Sequence, residues 1–216
     1  MKQADNIKDF RKIFFSDLSS TLAKEGFLYK SSKDLFERKV GEHIFHIYIY
    51  MYKRSAFIEV DTQIYYGNQL IEKELKETNV KILNDLICGG NVKFICEYYF
   101  KKDFPTIDEN LFYDFNCSIE DVFLTWMQYY EDYMKPYLED CTDPKILNKI
   151  VNEERFDTTG MNLTYENRVL KFYFVGKRSG LSNTALKELA GNYEARMIKS
   201  NASYLGKFRG LMNQVL

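Results

Sequence analysis

The side chains best suited to chemistry gather between Leu35 and Tyr66. This stretch holds both histidines of the chain, His43 and His46, among Glu37, Tyr48, Tyr50, Glu59, Asp61 and Gln63. A two-residue turn at Gly41-Glu42 sets Val40 opposite His43, and therefore Glu37 opposite His46. A second two-residue turn at Arg54-Ser55 sets Tyr52 opposite Phe57, Tyr50 opposite Glu59, Tyr48 opposite Asp61 and His46 opposite Gln63. Side chains alternate along a strand, so Glu37, His46, Tyr48, Tyr50, Glu59, Asp61 and Gln63 share one face. Phe36, Val40, Phe45, Ile47, Ile49, Met51, Ile58, Val60 and Ile64 fall on the other, as a core face. His43 lies at the end of that core face, where a structural imidazole is expected.

An imidazole beside a carboxylate is stabilised as imidazolium, so the His46–Glu37 pair can carry a proton or sense pH. The same face, rich in tyrosine and acid, also suits a protein partner with a basic surface. A third reading is structural: a half-buried sheet face with His46 merely paired across the strands. Base stacking on the tyrosines is disfavoured, because Glu59 and Asp61 beside them repel phosphate and no Lys/Arg-Gly-Phe pattern is present.

Other chemistry is thinly represented. Cys88, Cys96, Cys117 and Cys141 are far apart, with no CxxC pair and no nearby histidine, so neither a metal nor a cofactor is expected. No GxSxG is present. Gly89-Gly90-Asn91-Val92-Lys93 lacks the further glycine and Lys-Ser/Thr of a P-loop and reads as a helix end or turn. Gly176-Lys177-Arg178-Ser179-Gly180 places two cations between glycines, which suits a phosphate or a basic helix end favoured by the macrodipole.

Thirty basic side chains nearly balance thirty-one acidic ones, but unevenly along the chain. Residues 108–157 carry 13 acidic against 4 basic side chains, and residues 158–216 carry 9 basic against 3 acidic. Either the two segments share an internal surface, or the basic end meets a polyanion through Lys171, Lys177, Arg178, Arg196, Lys199, Lys207 and Arg209.

These residues must be held by ordered elements, and the periodicity supplies them. Ile7, Phe10, Phe14, Leu18 and Leu22 recur at helical steps, with Gly26 as a stop. Leu35–Val40, His43–Tyr52 and Ala56–Tyr66 alternate as an antiparallel meander. Thr78 can cap a helix bearing Ile82, Leu83, Leu86 and Ile87, closed by Gly89-Gly90. Val92–Phe100 alternates as a further strand. From about Pro105 helices follow, opened by Ser118, Asp143-Pro144, Thr164, Ser182 and Ser200 or Asn201, with residues 169–175 read as helix rather than strand.

A helix with Phe14, Leu18 and Leu22, then Gly26-Phe27, then strands bearing Phe36 and Arg38, resembles a group of uncharacterised bacterial domains of unknown function. The resemblance covers roughly residues 10–65. It implies a helix on an antiparallel sheet and a bacterial, cytoplasmic setting, and it brings no reaction or catalytic residue.

The expected fold is therefore α+β: an amino-terminal helix on an antiparallel β-meander over residues 1–104, followed by a packed all-helical segment over 105–216. Met1–Arg11 is polar rather than leader-like, and no run approaches a membrane span, so a cytoplasmic protein is expected. The leading functional expectation is a non-catalytic protein-binding module using the Tyr/acid sheet face or the acidic helix. Acid–base catalysis by His46 and Glu37, and polyanion binding by the basic end, are the alternatives.

Overall fold

The computed structural model of the chain describes residues 7–55, 57–79, 85–104, 111–114, 117–153 and 165–216. Its first element, α1 (Ile7–Leu22), buries Phe10, Phe14, Phe15, Leu18 and Leu22 on one side and leaves Lys8 and Lys12 exposed. Gly26 ends it in the left-handed region at φ 85, its N–H donating to the Ala23 carbonyl and that of Phe27 to the Leu22 carbonyl.

Three strands build the meander's start: β1 (Leu28–Lys30), β2 (Leu35–Val40) and β3 (His43–Lys53). The β2–β3 register sets Val40 opposite His43 and Glu37 opposite His46, as the Gly41-Glu42 turn requires. The next strand, β4 (Phe57–Asn68), continues the sheet. Here the hairpin end differs from expectation. The Arg54 N–H donates to the Phe57 carbonyl at 2.9 Å, which puts Arg54, not Tyr52, opposite Phe57. An offset of two residues moves cross-strand partners but leaves every side chain on its face. Accordingly Phe36, Phe45, Ile47, Ile49, Met51, Ile58, Val60 and Ile64 are buried; Val40, at the strand tip, is 54% exposed.

The chain then departs from the periodicity reading. α2 (Gln69–Glu77) is capped by the Asn68 side chain, which accepts from the Leu70 and Ile71 N–H groups, and Thr78 ends this helix rather than starting one. Leu86 and Ile87 lie in a strand, β5 (Leu86–Asn91), while Ile82 and Leu83 lie outside the described residues. Every residue of β5 is buried, and a strand covered on both faces shows no alternation to read. Val92–Phe100, expected as a strand, is helical: α3 (Val92–Phe94) runs into a π-helical turn at Ile95–Tyr99. The Asn91 side chain caps it, accepting from the Phe94 N–H at 2.7 Å. A short strand, β6 (Leu111–Asp114), pairs antiparallel with β4, so the helical run begins after it rather than near residue 105. The sheet order is β1-β2-β3-β4-β5, with β6 on β4.

Helices follow to the end of the chain. They are α4 (Ile119–Tyr129), continued by a π turn at Tyr130–Met134; α5 (Lys135–Asp140); α6 (Pro144–Asn148), continued by a π turn at Lys149–Glu153; α7 (Tyr165–Arg178); α8 (Asn183–Lys199); and α9 (Leu205–Val215). Ser118, Asp143 and Ser182 cap α4, α6 and α8 through their side-chain oxygens, as expected. The last helix starts at Leu205, not at Ser200 or Asn201. Thr164 lies outside the described residues. The α+β order stands.

The chain forms two compact units: Met1–Tyr65 with Gly89–Glu139, and Tyr66–Cys88 with Asp140–Leu216. The segment after residue 105 thus contributes to both. In the first unit, Trp126 packs edge-on against Phe14 at 6.5 Å and donates its indole N–H to Thr62 Oγ1 at 3.0 Å. Tyr130 stacks on Trp126 at 5.7 Å and donates to Glu25 Oε2 at 2.6 Å, which ties α4 to the end of α1. Burial, and then the Glu25 carboxylate, push the Tyr130 phenol far up.

In the second unit α7 is buried nearly all round from Val169 to Gly176. Phe172 meets Tyr193 at 4.8 Å and Phe208 at 5.8 Å. Asn152 donates to Asn148 and accepts from Tyr193, so the buried amides are satisfied. No helix among the described residues is long and apolar enough to cross a membrane.

Candidate functional site

Glu37 and His46 meet across β2 and β3. The carboxylate accepts only, so the His46 Nε2–H donates to Glu37 Oε2, at 3.0 Å. The Lys30 ammonium donates to Glu37 Oε1 at 2.6 Å, and Lys39 stands 3.6 Å from the same oxygen. Burial pushes the Glu37 carboxyl up, but the hydrogen bonds from Lys30 and His46 and the Lys39 charge outweigh it and hold it below its ordinary value.

The rest of the face continues from this pair along the strands. The His46 ring meets Tyr48 edge-on at 5.8 Å, Tyr48 stacks on Tyr50 at 6.1 Å, and Tyr65 meets Tyr48 edge-on at 6.0 Å. Tyr65 donates to Gln63 Oε1 at 2.9 Å, and Gln63 donates to Asp61 Oδ2 at 3.0 Å. Arg54 forms an ion pair with Glu59 and lies 5.4 Å over the Tyr52 ring. Burial first, and then the Asp61 charge, raise the Tyr50 phenol. The structure thus places Glu37, His46, Tyr48, Tyr50, Glu59, Asp61 and Gln63 on one face, as the alternation requires. Several of these groups are already engaged or covered: His46 is 6% exposed, Glu59 is 7% exposed, and Glu37 and Glu59 are ion-paired with Lys30 and Arg54. Nothing matches for comparison: no family model, curated protein or solved structure.

The acidic segment is arranged differently. Along α4 and its π turn, Glu120, Asp121, Leu124, Gln128, Glu131 and Asp132 are exposed at three- and four-residue spacing. Leu124, 57% exposed, lies between the acids. Neither Glu120 nor Asp121 has an ion pair among the described residues, and Glu131 is shared with Lys135 at 3.3 Å. The opposite side of this stretch, Val122, Trp126, Tyr130 and Met134, is core. The apolar periodicity located that core side, but the exposure of Leu124 needed the packed structure.

Three of the seven cations that the charge count singled out at the basic end are engaged within the chain. Lys171 is 1% exposed and donates to the Leu86 carbonyl, so it cannot meet a polyanion. Burial lowers its ammonium to about 8. Arg178 pairs with Glu74 at 2.8 Å, and Arg209 with Glu194 at 2.6 Å. Lys177, Arg196, Lys199 and Lys207 are exposed on α7, α8 and α9. The Gly176–Gly180 stretch is the basic end of α7, closed by the Ser179 N–H on the Val175 carbonyl and by Gly180 at φ 88.

Two arrangements had no signal in the sequence. Cys88 and Cys141 bring their sulfurs to 3.5 Å in the second unit, across a separation of 53 residues. A cleft of about 460 Å³ opens between α1 and the turn after β1, where Arg11 meets Asp34.

Proposed function

We propose that this chain is a non-catalytic protein-binding module, and that the acidic stripe of α4 is its contact surface. The observation that supports this reading is Leu124, an exposed apolar side chain set among Glu120, Asp121, Glu131 and Asp132. An apolar residue on a helix face that carries like charges on either side offers a partner both burial and charge complementarity, and the acids select a basic segment bearing an apolar side chain. The sheet face is the weaker candidate, because Glu37 and Glu59 are already neutralised by the chain's own cations.

Acid–base chemistry at His46 is the second reading, favoured by its 3.0 Å hydrogen bond to Glu37. At 6% exposure the imidazole has little surface for a substrate, so a paired structural histidine accounts for the geometry better.

Affinity capture from native lysate with wild-type, Leu124→Arg and Glu59→Lys/Asp61→Lys proteins tests the assignment. The reading expects one stoichiometric partner, weakened by moderate salt and lost with Leu124→Arg. Loss only with the Glu59/Asp61 variant moves the contact to the sheet face. Equal recovery by all three rejects both surfaces.

A further inference from the structure

The acidic stripe of α4 has a counterpart of opposite charge on α8 of the same chain. Lys187, Gly191, Ala195 and Ile198 are exposed along α8 at steps of three and four residues, and Lys199 lies beside Ile198. A Cβ added at Gly191 would meet nothing within 4 Å, so the stripe is open there, and Ile198 at its end is 55% exposed. Neither Lys187 nor Lys199 has an ion pair among the described residues. Over α8 and α9 five cations stand against two acids, whereas α4 and its π turn carry four acids and no cation. Each surface thus sets one exposed aliphatic side chain, Leu124 or Ile198, among charges of one prevailing sign.

The spacing of the charges also matches when the two helices lie antiparallel with Leu124 against Ile198. At about 1.5 Å per residue, Glu120 and Asp121 lie about 5 Å from Leu124 along the helix axis, and Glu131 and Asp132 about 11 Å the other way. On α8, Lys199 lies about 1.5 Å from Ile198 and Lys187 about 16 Å the other way. Antiparallel, each lysine comes within about 6 Å, roughly one turn, of an acidic pair. Glu131 is shared with Lys135, which leaves Asp132 for Lys187. Parallel, Lys187 would fall before the start of α4 and Glu131 beyond the end of α8. Pairing α4 with another α4 would set four acids against four.

We propose that the occupant of the α4 stripe is a second copy of this chain, whose α8 lies antiparallel on it with Ile198 against Leu124. This rests on the reading of α4 as a contact surface. The two patches differ, so the contact is head-to-tail, and each copy keeps one patch open for the next until a ring closes. One pair of helices buries less than the about 1,600 Å² of a standard interface, so the assembly is weak and depends on concentration.

Sedimentation velocity of the full chain from about 5 to 500 µM is the test, a range chosen for a weak interface, with Leu124→Arg, Ile198→Asp and an equal mixture of the two. The wild type should sediment faster as concentration rises and lose that increase at high salt. Either variant should associate at least about tenfold more weakly, since each sets a like charge into the partner patch. Mixed, the two should associate again, because the Leu124→Arg copy keeps its α8 patch and the Ile198→Asp copy keeps its α4 patch. That recovery also shows that both variants are folded. A wild type that stays monomeric, or a mixture that does not associate, overturns the proposal. Assembly lost with Ile198→Asp but kept with Leu124→Arg overturns it too, and assigns a contact of α8 with itself. A monomeric wild type whose capture of another protein is lost with Leu124→Arg removes the second copy and leaves the α4 reading standing. Leu124→Arg without effect on assembly or capture removes both.

Discussion

His46 and Glu37 face one another across adjacent strands, and the carboxylate that accepts from the imidazole at 3.0 Å also accepts from Lys30 at 2.6 Å. One acid therefore fixes a buried histidine and the neighbouring strand's lysine. Its carboxyl is held below the ordinary range, so the folded state favours the ionised form. The stabilisation from this pair is then complete above the unfolded value of about 4.3 and is lost as pH falls through the lower folded value. Glu37→Gln should cost about 1–3 kcal/mol at pH 7 and reduce the acid sensitivity of unfolding, measured by urea titration from pH 3 to 7.

Lys171 is also held below its ordinary value, here because burial disfavours the charged ammonium. Burial lowers its ammonium to about 8, against roughly 10.4 in an unfolded chain. Between those values the unfolded state binds more protons, so its contribution to stability rises as pH increases from 8 toward 10. Lys171→Met should raise the thermal midpoint at pH 7 and flatten that rise, because a buried charge is replaced by an apolar chain of similar length. A lower midpoint at pH 7 would mean that the bond to the Leu86 carbonyl outweighs the cost of burying the charge.

Cys88 and Cys141, 3.5 Å apart, are placed to close a disulfide. Hydrogen peroxide would take two electrons and two protons from the two thiols and leave as two waters, with an S–S bond formed. The link would close a 53-residue separation and stabilise the fold by about 4 kcal/mol in the chain-entropy picture. Thiol titration in denaturant should fall from four groups to two, with a raised thermal midpoint, and Cys88→Ser should abolish both changes.

Gly89 sits in β5 at φ 150, where an added Cβ would overlap the Ile64 carbonyl oxygen and the Tyr65 backbone. Backbone atoms cannot swing aside as a side chain can. Gly89→Ala should therefore destabilise by more than about 2 kcal/mol, or prevent folding, whereas Gly191→Ala on α8, with nothing within 4 Å, should be neutral or mildly stabilising. Chemical denaturation of the two variants side by side separates these effects.

What the sequence determined by itself is local and periodic. The apolar steps of α1, the Gly26 stop, the caps at Ser118, Asp143 and Ser182, and the alternation that divides the two faces of β2, β3 and β4 all follow from backbone geometry over a few residues. Even the Glu37–His46 pairing was legible, because a two-residue turn leaves one register. Tertiary structure decided the rest. β5 is buried on every residue and so hides its period, and Phe94 and Cys96 belong to a helical turn although their spacing imitates a strand. The burial of Lys171, the approach of Cys88 to Cys141 and the hold of Asp34 on Arg11 join residues 85, 53 and 23 positions apart. Such meetings depend on which packed surfaces bring distant segments together, and periodicity along the chain carries no record of that choice.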